Sequence, residues 1–144
     1  MDKEFVTHSP EETIAAGRRF AARLEAGDVV CLAGGLGAGK THLVKGIAAG
    51  LAIDPDRVQS PTYTLIHEYE GEGGLVLYHF DCYRMSSPQE AREIGAEEYF
   101  YGEGICVIEW PERIAALIPP EALWISITAP DKKTRKFVTG KKSL

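Results

Sequence analysis

The sequence lacks the features of several protein classes. It has only 3 cysteines among 144 residues, without a C-x-x-C spacing, which argues against a disulfide framework or a thiolate metal site. It also has no apolar run of transmembrane length, and its first residues are polar and mixed in charge, unlike a signal peptide. We therefore expect a cytoplasmic protein with no membrane association, whose cysteines are buried thiols.

An excess of positive charge is also missing. The formal net charge of −5 argues against a broad nucleic-acid-binding surface. Lysine and arginine do cluster between Lys132 and Lys142, where a solvated tail is a simpler interpretation than a functional basic patch. The length predicts a single domain over residues 1–144, with a flexible basic tail in its last few residues.

The most informative segment is rich in glycine. Residues 34–41 read Gly-Gly-Leu-Gly-Ala-Gly-Lys-Thr and match the pattern G-x-x-x-x-G-K-[ST] at every fixed position. The apolar run Val29–Leu32 before it predicts a buried strand, and apolar residues spaced by three and four predict a helix from Thr41 to Leu51. This context favours a phosphate-binding P-loop over a glycine turn that merely caps a helix.

Each residue type in this loop has a physical role. Glycine permits positive φ, so that backbone N–H groups turn toward phosphate oxygens beside the positive end of the helix dipole. We expect Lys40 to reach the β- and γ-phosphates of a bound nucleotide and the Thr41 hydroxyl to bind the accompanying Mg²⁺. The predicted nucleotide-binding residues of this segment are Gly35, Leu36, Gly37, Ala38, Gly39, Lys40, Thr41 and His42.

The rest of the chain predicts alternating strands and helices, which is typical of an α/β fold. We expect a mixed sheet flanked by helices, with an inserted β-hairpin. The expected elements are a strand at Phe5–Thr7, a helix from the Ser9 cap to about Leu24, hairpin strands at Tyr63–Tyr69 and Leu75–Phe80, a helix at Pro88–Ile94, and closing strands at Leu123–Thr128 and Arg135–Thr139.

Two carboxylates stand at the ends of predicted strands. Asp81 follows the second hairpin strand, and Glu109 follows Ile105–Ile108, an apolar run that predicts a strand buried on both faces. Open α/β sheets bind ligands at the carboxyl ends of their strands. We therefore predict that both acids bind Mg²⁺ and act in catalysis with Lys40. A helix cap at Asp81 and a solvated side chain at Glu109 are the alternatives.

The segment Ser60–Thr64 is rich in hydroxyl groups. Such side chains bind phosphate, metal-bound water or the backbone, and a loop at this place resembles a switch that senses the γ-phosphate. A plain turn into a strand explains the composition equally well. We include Thr62 among the predicted nucleotide-binding residues.

Four blocks together resemble the TsaE family, also called YjeE. They are residues 34–41, 60–64, 78–84 (Tyr-His-Phe-Asp-Cys-Tyr-Arg) and 108–111 (Ile-Glu-Trp-Pro). The resemblance implies a P-loop ATPase that acts beside TsaB and TsaD homologues, which attach a threonylcarbamoyl group to the adenosine next to the anticodon. The tRNAs are those that read codons beginning with A. It further implies that ATP hydrolysis drives turnover of the complex and that tRNA is met only through the complex.

The resemblance also implies roles for single residues. Lys40 and Thr41 would bind phosphate and Mg²⁺, and Thr62 would lie in the switch-like loop. Asp81 and Glu109 match the two acidic positions of the family, with Glu109 expected nearer to the metal and the γ-phosphate.

The sequence departs from the family pattern at two positions. An acidic or polar residue is usual where Gly35 stands, and a second threonine is usual where His42 stands. Trp110 follows Glu109 as in the family, where it would pack beside the nucleotide or present a partner surface.

Two other functions of P-loop proteins compete with this interpretation. A small-molecule kinase would need an arginine-rich lid, and the sequence has no suitable arginine cluster; Arg84 and Arg135 are the candidates for additional positive charge near the phosphates. A regulatory GTPase would carry an Asn-Lys-x-Asp motif, which Asp131-Lys132-Lys133 does not complete. We therefore keep the kinase as the alternative and regard the GTPase as the weakest.

Overall fold

The structure is a computed structural model that describes residues 4–35, 39–58 and 66–141. Its strands and helices are β1 (Glu4–Thr7), α1 (Pro10–Ala21), β2 (Val29–Ala33), α2 (Lys40–Gly50), β3 (Ile66–Glu70), β4 (Val76–Asp81), α3 (Pro88–Glu93), α4 (Ala96–Phe100), β5 (Ile105–Glu109), β6 (Leu123–Thr128) and β7 (Arg135–Lys141). Short 3-10 helices cover Pro55–Arg57, Glu72–Gly74 and Pro111–Leu117. Within these ranges, no helix has the length and apolar character needed to cross a bilayer.

The strands of the described residues form one mixed sheet in the order β1-β7-β6-β2-β5-β4-β3. The neighbours β6, β2, β5 and β4 are parallel, whereas β7 and β1 continue one side and β3 the other with antiparallel pairs. The predicted mixed sheet is confirmed. The predicted hairpin of β3 and β4 is present and extends this sheet, because β4 also pairs with β5.

Both faces of the central strands are covered, as their unbroken apolar runs predict. Val30 and Leu32 of β2 pack in a core cluster with residues of α1 and α2, including Phe20 and Leu43. Cys31 lies on the opposite face, in a second cluster that includes residues of α4 and of the Pro111–Leu117 helix. The central strands are therefore shielded from water on both sides.

The three cysteines are buried thiols, as predicted. Burial raises the pKa of Cys82 to about 12 and that of Cys106 to about 12, so these thiols stay protonated at neutral pH. They behave as small apolar side chains of the core.

The first helix begins as predicted and ends earlier than predicted. The Ser9 hydroxyl accepts a hydrogen bond from the backbone N–H of Glu12 at 3.1 Å, which is an N-cap contact. The expected end near Leu24 is wrong, because α1 stops at Ala21 and the next three N–H groups bond carbonyls three residues back, in a tighter turn. Gly27 takes a positive φ of 94° in the turn that leads into β2.

Two glycines allow α1 and α2 to approach closely. A Cβ atom added at Gly46 of α2 would collide with the backbone carbonyl of Ile14 and would lie 2.9 Å from the Cα of Gly17 in α1. Because both neighbours are backbone atoms of a packed helix, neither has room to move aside without separating the helices. This contact fixes the position of the helix that follows the P-loop.

We predict that Gly46→Ala destabilises the protein by about 1–3 kcal/mol, because overpacking outweighs the better helix propensity of alanine. Urea unfolding followed by circular dichroism measures this change. Gly140→Ala is the matched control, since a Cβ there meets no atom within 4 Å. Equal stability of the Gly46→Ala variant and the wild type would contradict the close helix contact.

Candidate functional site

Three parallel strands bring the predicted site residues to one edge of the sheet. β2 leads into the P-loop, and β5 lies beside it with Glu109 paired to Leu32. On the other side of β5, Asp81 of β4 pairs with Glu109. The structure therefore brings together Lys40, Asp81 and Glu109, although they come from three separate parts of the chain.

The P-loop is described at its two ends. Gly39 has a φ of 100°, a conformation that favours glycine, and it immediately precedes α2. Lys40, Thr41 and His42 form the first turn of α2, and Gly35 is exposed after β2. The predicted binding residues Leu36, Gly37, Ala38 and Thr62 lie outside the described residues.

Lys40 is the buried cation of the site, with 6% of its surface exposed. Its Nζ donates a hydrogen bond to the carbonyl of Gly34 at 2.7 Å and lies 3.8 Å from the centroid of the Trp110 ring. Burial lowers the pKa of this amine, whereas the carboxylates of Glu109, Glu112 and Asp81 act in the opposite direction. These acids favour the ammonium form despite its burial.

Glu109 is buried, so the alternative of a solvated carboxylate is wrong. One carboxylate oxygen, Oε2, accepts a hydrogen bond from His79 Nε2 at 2.5 Å. His79 itself has no exposed surface. This histidine was not among the predicted site residues, although its position two residues before Asp81 places both side chains on the same face of β4.

Asp81 is not a helix cap. Its Oδ1 accepts a hydrogen bond from the backbone N–H of Tyr83 at 2.9 Å, which forms a local turn directly after β4. The pKa of Asp81 is raised, mainly by burial and further by the charge of Glu109. The Tyr83 N–H group, His79 and Lys40 oppose this rise. A carboxylate in such surroundings gains stability from an added cation.

Trp110 connects the buried lysine to the surface. It has φ 58° and ψ 48°, a left-handed conformation that is rare for a residue other than glycine and often marks functional sites. Its ring lies over the Lys40 amine on one side, and its centroid is 4.8 Å from that of the half-exposed Tyr83. The Trp110 ring therefore contacts the P-loop lysine, and its packing beside the nucleotide or its presentation to a partner stays a prediction.

Arg135, one of the two arginines that the sequence offered, lies beside the P-loop. Arg135 packs against Gly39, where its Nε is 3.7 Å from the place that a Cβ would occupy. Its guanidinium donates hydrogen bonds to backbone carbonyls in the β6–β7 turn, including those of Asp131 and Thr134. Arg84 is exposed.

The oxygen ligands of the site suit a hard cation. In the part of the chain that the structure describes, no group of three or more His, Cys, Asp or Glu side chains is arranged to hold a metal by itself. Mg²⁺ usually needs fewer, because it takes one or two carboxylates together with substrate phosphates and water. The hydroxyl of Thr41 and the carboxylates of Asp81 and Glu109 are oxygen donors of this kind.

Comparison with known proteins gives the family. The family model described as "Threonylcarbamoyl adenosine biosynthesis protein TsaE" matches residues 7–137, which is most of the chain. The chain belongs to the TsaE family. Glu109, Lys40 and Asp81 all lie within the matched range, and so do the strands that position them.

Relatives from different bacteria support this assignment. The chain is 46% identical over 122 residues to a tRNA threonylcarbamoyladenosine biosynthesis protein TsaE from Treponema pallidum, covering 85% of this chain and 88% of the relative. It is 48% identical over 121 residues to the protein of the same name from Bacillus subtilis, covering 84% and 74%. A crystal structure of Bacillus subtilis YdiB superimposes with a TM-score of 0.77 at 40% identity, covering 96% of this chain and 85% of that one.

We predict that Asp81→Asn stabilises this protein at neutral pH in the absence of metal. The raised pKa means that ionised Asp81 costs folding free energy above that pKa, and the amide removes the charge while its oxygen still accepts from the Tyr83 N–H. The gain should shrink as the pH falls and should vanish below about 4, the ordinary pKa of aspartate, because the carboxyl is then protonated in the unfolded chain as well as in the folded one.

Urea unfolding in EDTA at several pH values measures this difference. Asp131→Asn is the matched control, because hydrogen bonds lower the pKa of that exposed carboxyl and its removal should not stabilise the protein. A pH-independent difference between Asp81→Asn and the wild type would contradict the assigned cause.

Proposed function

We propose that this protein is the ATP-binding and ATP-hydrolysing component of an assembly with TsaB and TsaD homologues that forms threonylcarbamoyladenosine in tRNA. The observation that carries the ATPase part is the meeting of Lys40, Glu109 and Asp81 at the carboxyl ends of β2, β5 and β4. The pathway is supported by the names of the curated relatives, which are tRNA threonylcarbamoyladenosine biosynthesis proteins.

The P-loop supplies the phosphate-binding groups of this proposal. Backbone N–H groups at the start of α2 and the Lys40 amine would contact the phosphates of ATP. The hydroxyl of Thr41 and the carboxylates of Asp81 and Glu109 would hold Mg²⁺, which neutralises charge on the β- and γ-phosphates when bound. Asp81 is suited to this role because its charge is poorly compensated by the protein alone.

The groups next to Lys40 favour the charged form of its amine, which is the form that binds phosphate. Its amine lies between the Gly34 carbonyl, the Trp110 ring and nearby carboxylates, all of which favour the charged form. An ammonium is needed to bind phosphate oxygens, and a lysine buried without these neighbours would tend to lose its proton. The surrounding groups therefore oppose the loss of the positive charge that the reaction uses, which burial alone would favour.

Glu109 is the candidate for the residue that orients the attacking water. It lies at the end of the strand next to the P-loop strand, and burial keeps its carboxylate away from bulk solvent. A carboxylate in this position stabilises a water molecule directed at the γ-phosphate, as a general base or as a positioning group. The neighbouring Asp81 then serves mainly the metal.

Part of the catalytic charge would come from a partner. Phosphoryl transfer is accelerated by positive charge placed against the reacting phosphate, and many P-loop enzymes receive some of it from another protein. Arg135 is the arginine that packs against the described part of the P-loop, and its guanidinium already binds backbone carbonyls. We propose that the TsaB and TsaD complex completes the site and thereby couples hydrolysis to its own turnover.

We predict that Glu109→Gln slows ATP hydrolysis by about 10² to 10⁴ while nucleotide affinity changes little, because the loss falls mainly on the transition state. Phosphate release and the equilibrium binding of a fluorescent ATP analogue measure the two quantities. Lys40→Ala is the comparison variant and should lose both hydrolysis and affinity. A Glu109→Gln variant with normal turnover would contradict the role of this carboxylate.

We predict that the isolated protein hydrolyses ATP slowly and that TsaB and TsaD together accelerate it. The test is to measure steady-state phosphate release by the protein alone and by the protein with both partners. The Glu109→Gln variant with both partners is the control. In the same mixture, threonylcarbamoyl-adenylate and tRNA should be converted through multiple turnovers only when the wild-type protein is added. Fast hydrolysis by the chain alone that the partners leave unchanged would contradict partner activation and favour the kinase alternative.

A further inference from the structure

His79 is a polar residue in a place where apolar side chains are the rule. It lies on β4 with no exposed surface, and the alternation of the strand puts it on the same face as Leu77, which packs in the core cluster of α1 and α2. By the same alternation, Glu109 follows Val107 on this face of β5. The two side chains therefore meet beneath the edge where the P-loop begins.

The hydrogen bond between His79 and Glu109 has a defined donor and a defined acceptor. His79 pairs across the strands with Val107, so Glu109 is its diagonal neighbour, within reach of long side chains. A carboxylate only accepts hydrogen bonds, so the Nε2 atom of His79 carries the hydrogen in the 2.5 Å contact with Oε2. In the described part of the chain, this is the hydrogen bond that holds the Glu109 carboxylate.

The second nitrogen of His79 argues against the view that this residue serves only to stabilise the fold. Nδ1 is buried and has no hydrogen-bond partner among the described residues. A buried polar atom without a partner lowers stability, and replacing a buried polar pair by apolar side chains is often neutral or stabilising. The contact is therefore better explained by an effect on Glu109 than by a contribution to the stability of the core.

We propose that His79 is a positioning residue that fixes the orientation of the Glu109 carboxylate through the Nε2 to Oε2 hydrogen bond. This proposal rests on the proposed ATPase function, because it explains His79 by the catalytic role proposed for Glu109. Outer partners of this kind orient a functional carboxylate, and their removal typically lowers activity by about 10- to 100-fold. His79 acts through Glu109 and touches no reacting atom.

Two substitutions at His79 separate the hydrogen bond from the volume of the ring. His79→Phe keeps the ring and removes the donor, so kcat for ATP hydrolysis should fall by about 10- to 100-fold while nucleotide affinity stays within about threefold. His79→Gln carries an amide N–H that can replace Nε2–H, and it should restore most of the lost kcat. A loss that Gln does not restore, or a loss confined to KM, overturns the proposal.

A matched control and a double variant test whether the effect passes through Glu109. His67 lies directly opposite His79 on β3, with ring centroids 6.5 Å apart, and its Nδ1 contacts the Tyr69 hydroxyl instead. His67→Phe should therefore leave kcat within about threefold. Adding His79→Phe to Glu109→Gln should cause no further loss, whereas an additive loss would overturn the proposal.

Nuclear magnetic resonance provides a readout that needs neither activity nor a His79 variant. Nitrogen correlation spectra of the imidazole rings should show a hydrogen on Nε2 of His79, and Glu109→Gln should shift the signals of this ring more than those of His67. Absence of the Nε2 hydrogen, or signals that Glu109→Gln leaves in place, would overturn the contact even if His79→Phe fails to fold.

The outcomes also distinguish this proposal from the function on which it rests. A wild-type protein that hydrolyses no ATP, alone or with TsaB and TsaD, overturns the ATPase function and with it the role of His79, whatever the spectra show. A wild-type protein that hydrolyses ATP beside a fully active His79→Phe variant overturns the positioning role alone.

Discussion

The burial of the Lys40 ammonium is the constraint on which the site depends. An isolated ammonium is very unfavourable in a protein interior and tends to lose its proton unless polar and charged neighbours replace the water around it. Here the Gly34 carbonyl, the ring of Trp110 and nearby carboxylates do so. These neighbours come from different segments, so the parallel alignment of β2, β5 and β4 is a condition for keeping the charge.

The same edge of the sheet carries several features that weaken the folded state. Burial and the charge of Glu109 raise the pKa of Asp81 and so disfavour its ionised form, Trp110 holds a left-handed conformation, and His79 buries a nitrogen without a partner in the described chain. Each of these lowers stability, and none improves the packing of the core. All three residues lie close to Lys40 or Glu109. This grouping indicates that the edge of the sheet is adapted to bind a ligand at the expense of stability.

Local patterns in the sequence predicted most of the fold. The apolar run before Gly34 predicted a buried strand, and the run before Glu109 predicted a strand buried on both faces. The position of the acids at strand ends predicted that Lys40, Asp81 and Glu109 lie together. The end of α1 was predicted too late, because turn residues after Ala21 continue an apolar periodicity without continuing the helix. Periodicity reports which face of a segment is apolar, and it does not report where the hydrogen-bond pattern changes.

Contacts that depend on the register between strands could not be predicted in this way. His79 and Glu109 are 30 residues apart, and their contact requires that β4 pair with β5 so that Asp81 stands opposite Glu109. A shift of one residue would turn His79 to the other face of the sheet and leave Glu109 without its donor. The placement of Arg135 beside Gly39 likewise follows from β6 lying next to β2, which no local pattern specifies. The P-loop residues and the two acids can thus be predicted from the sequence. The side chains that orient them can be identified only when the strand order and the register are known.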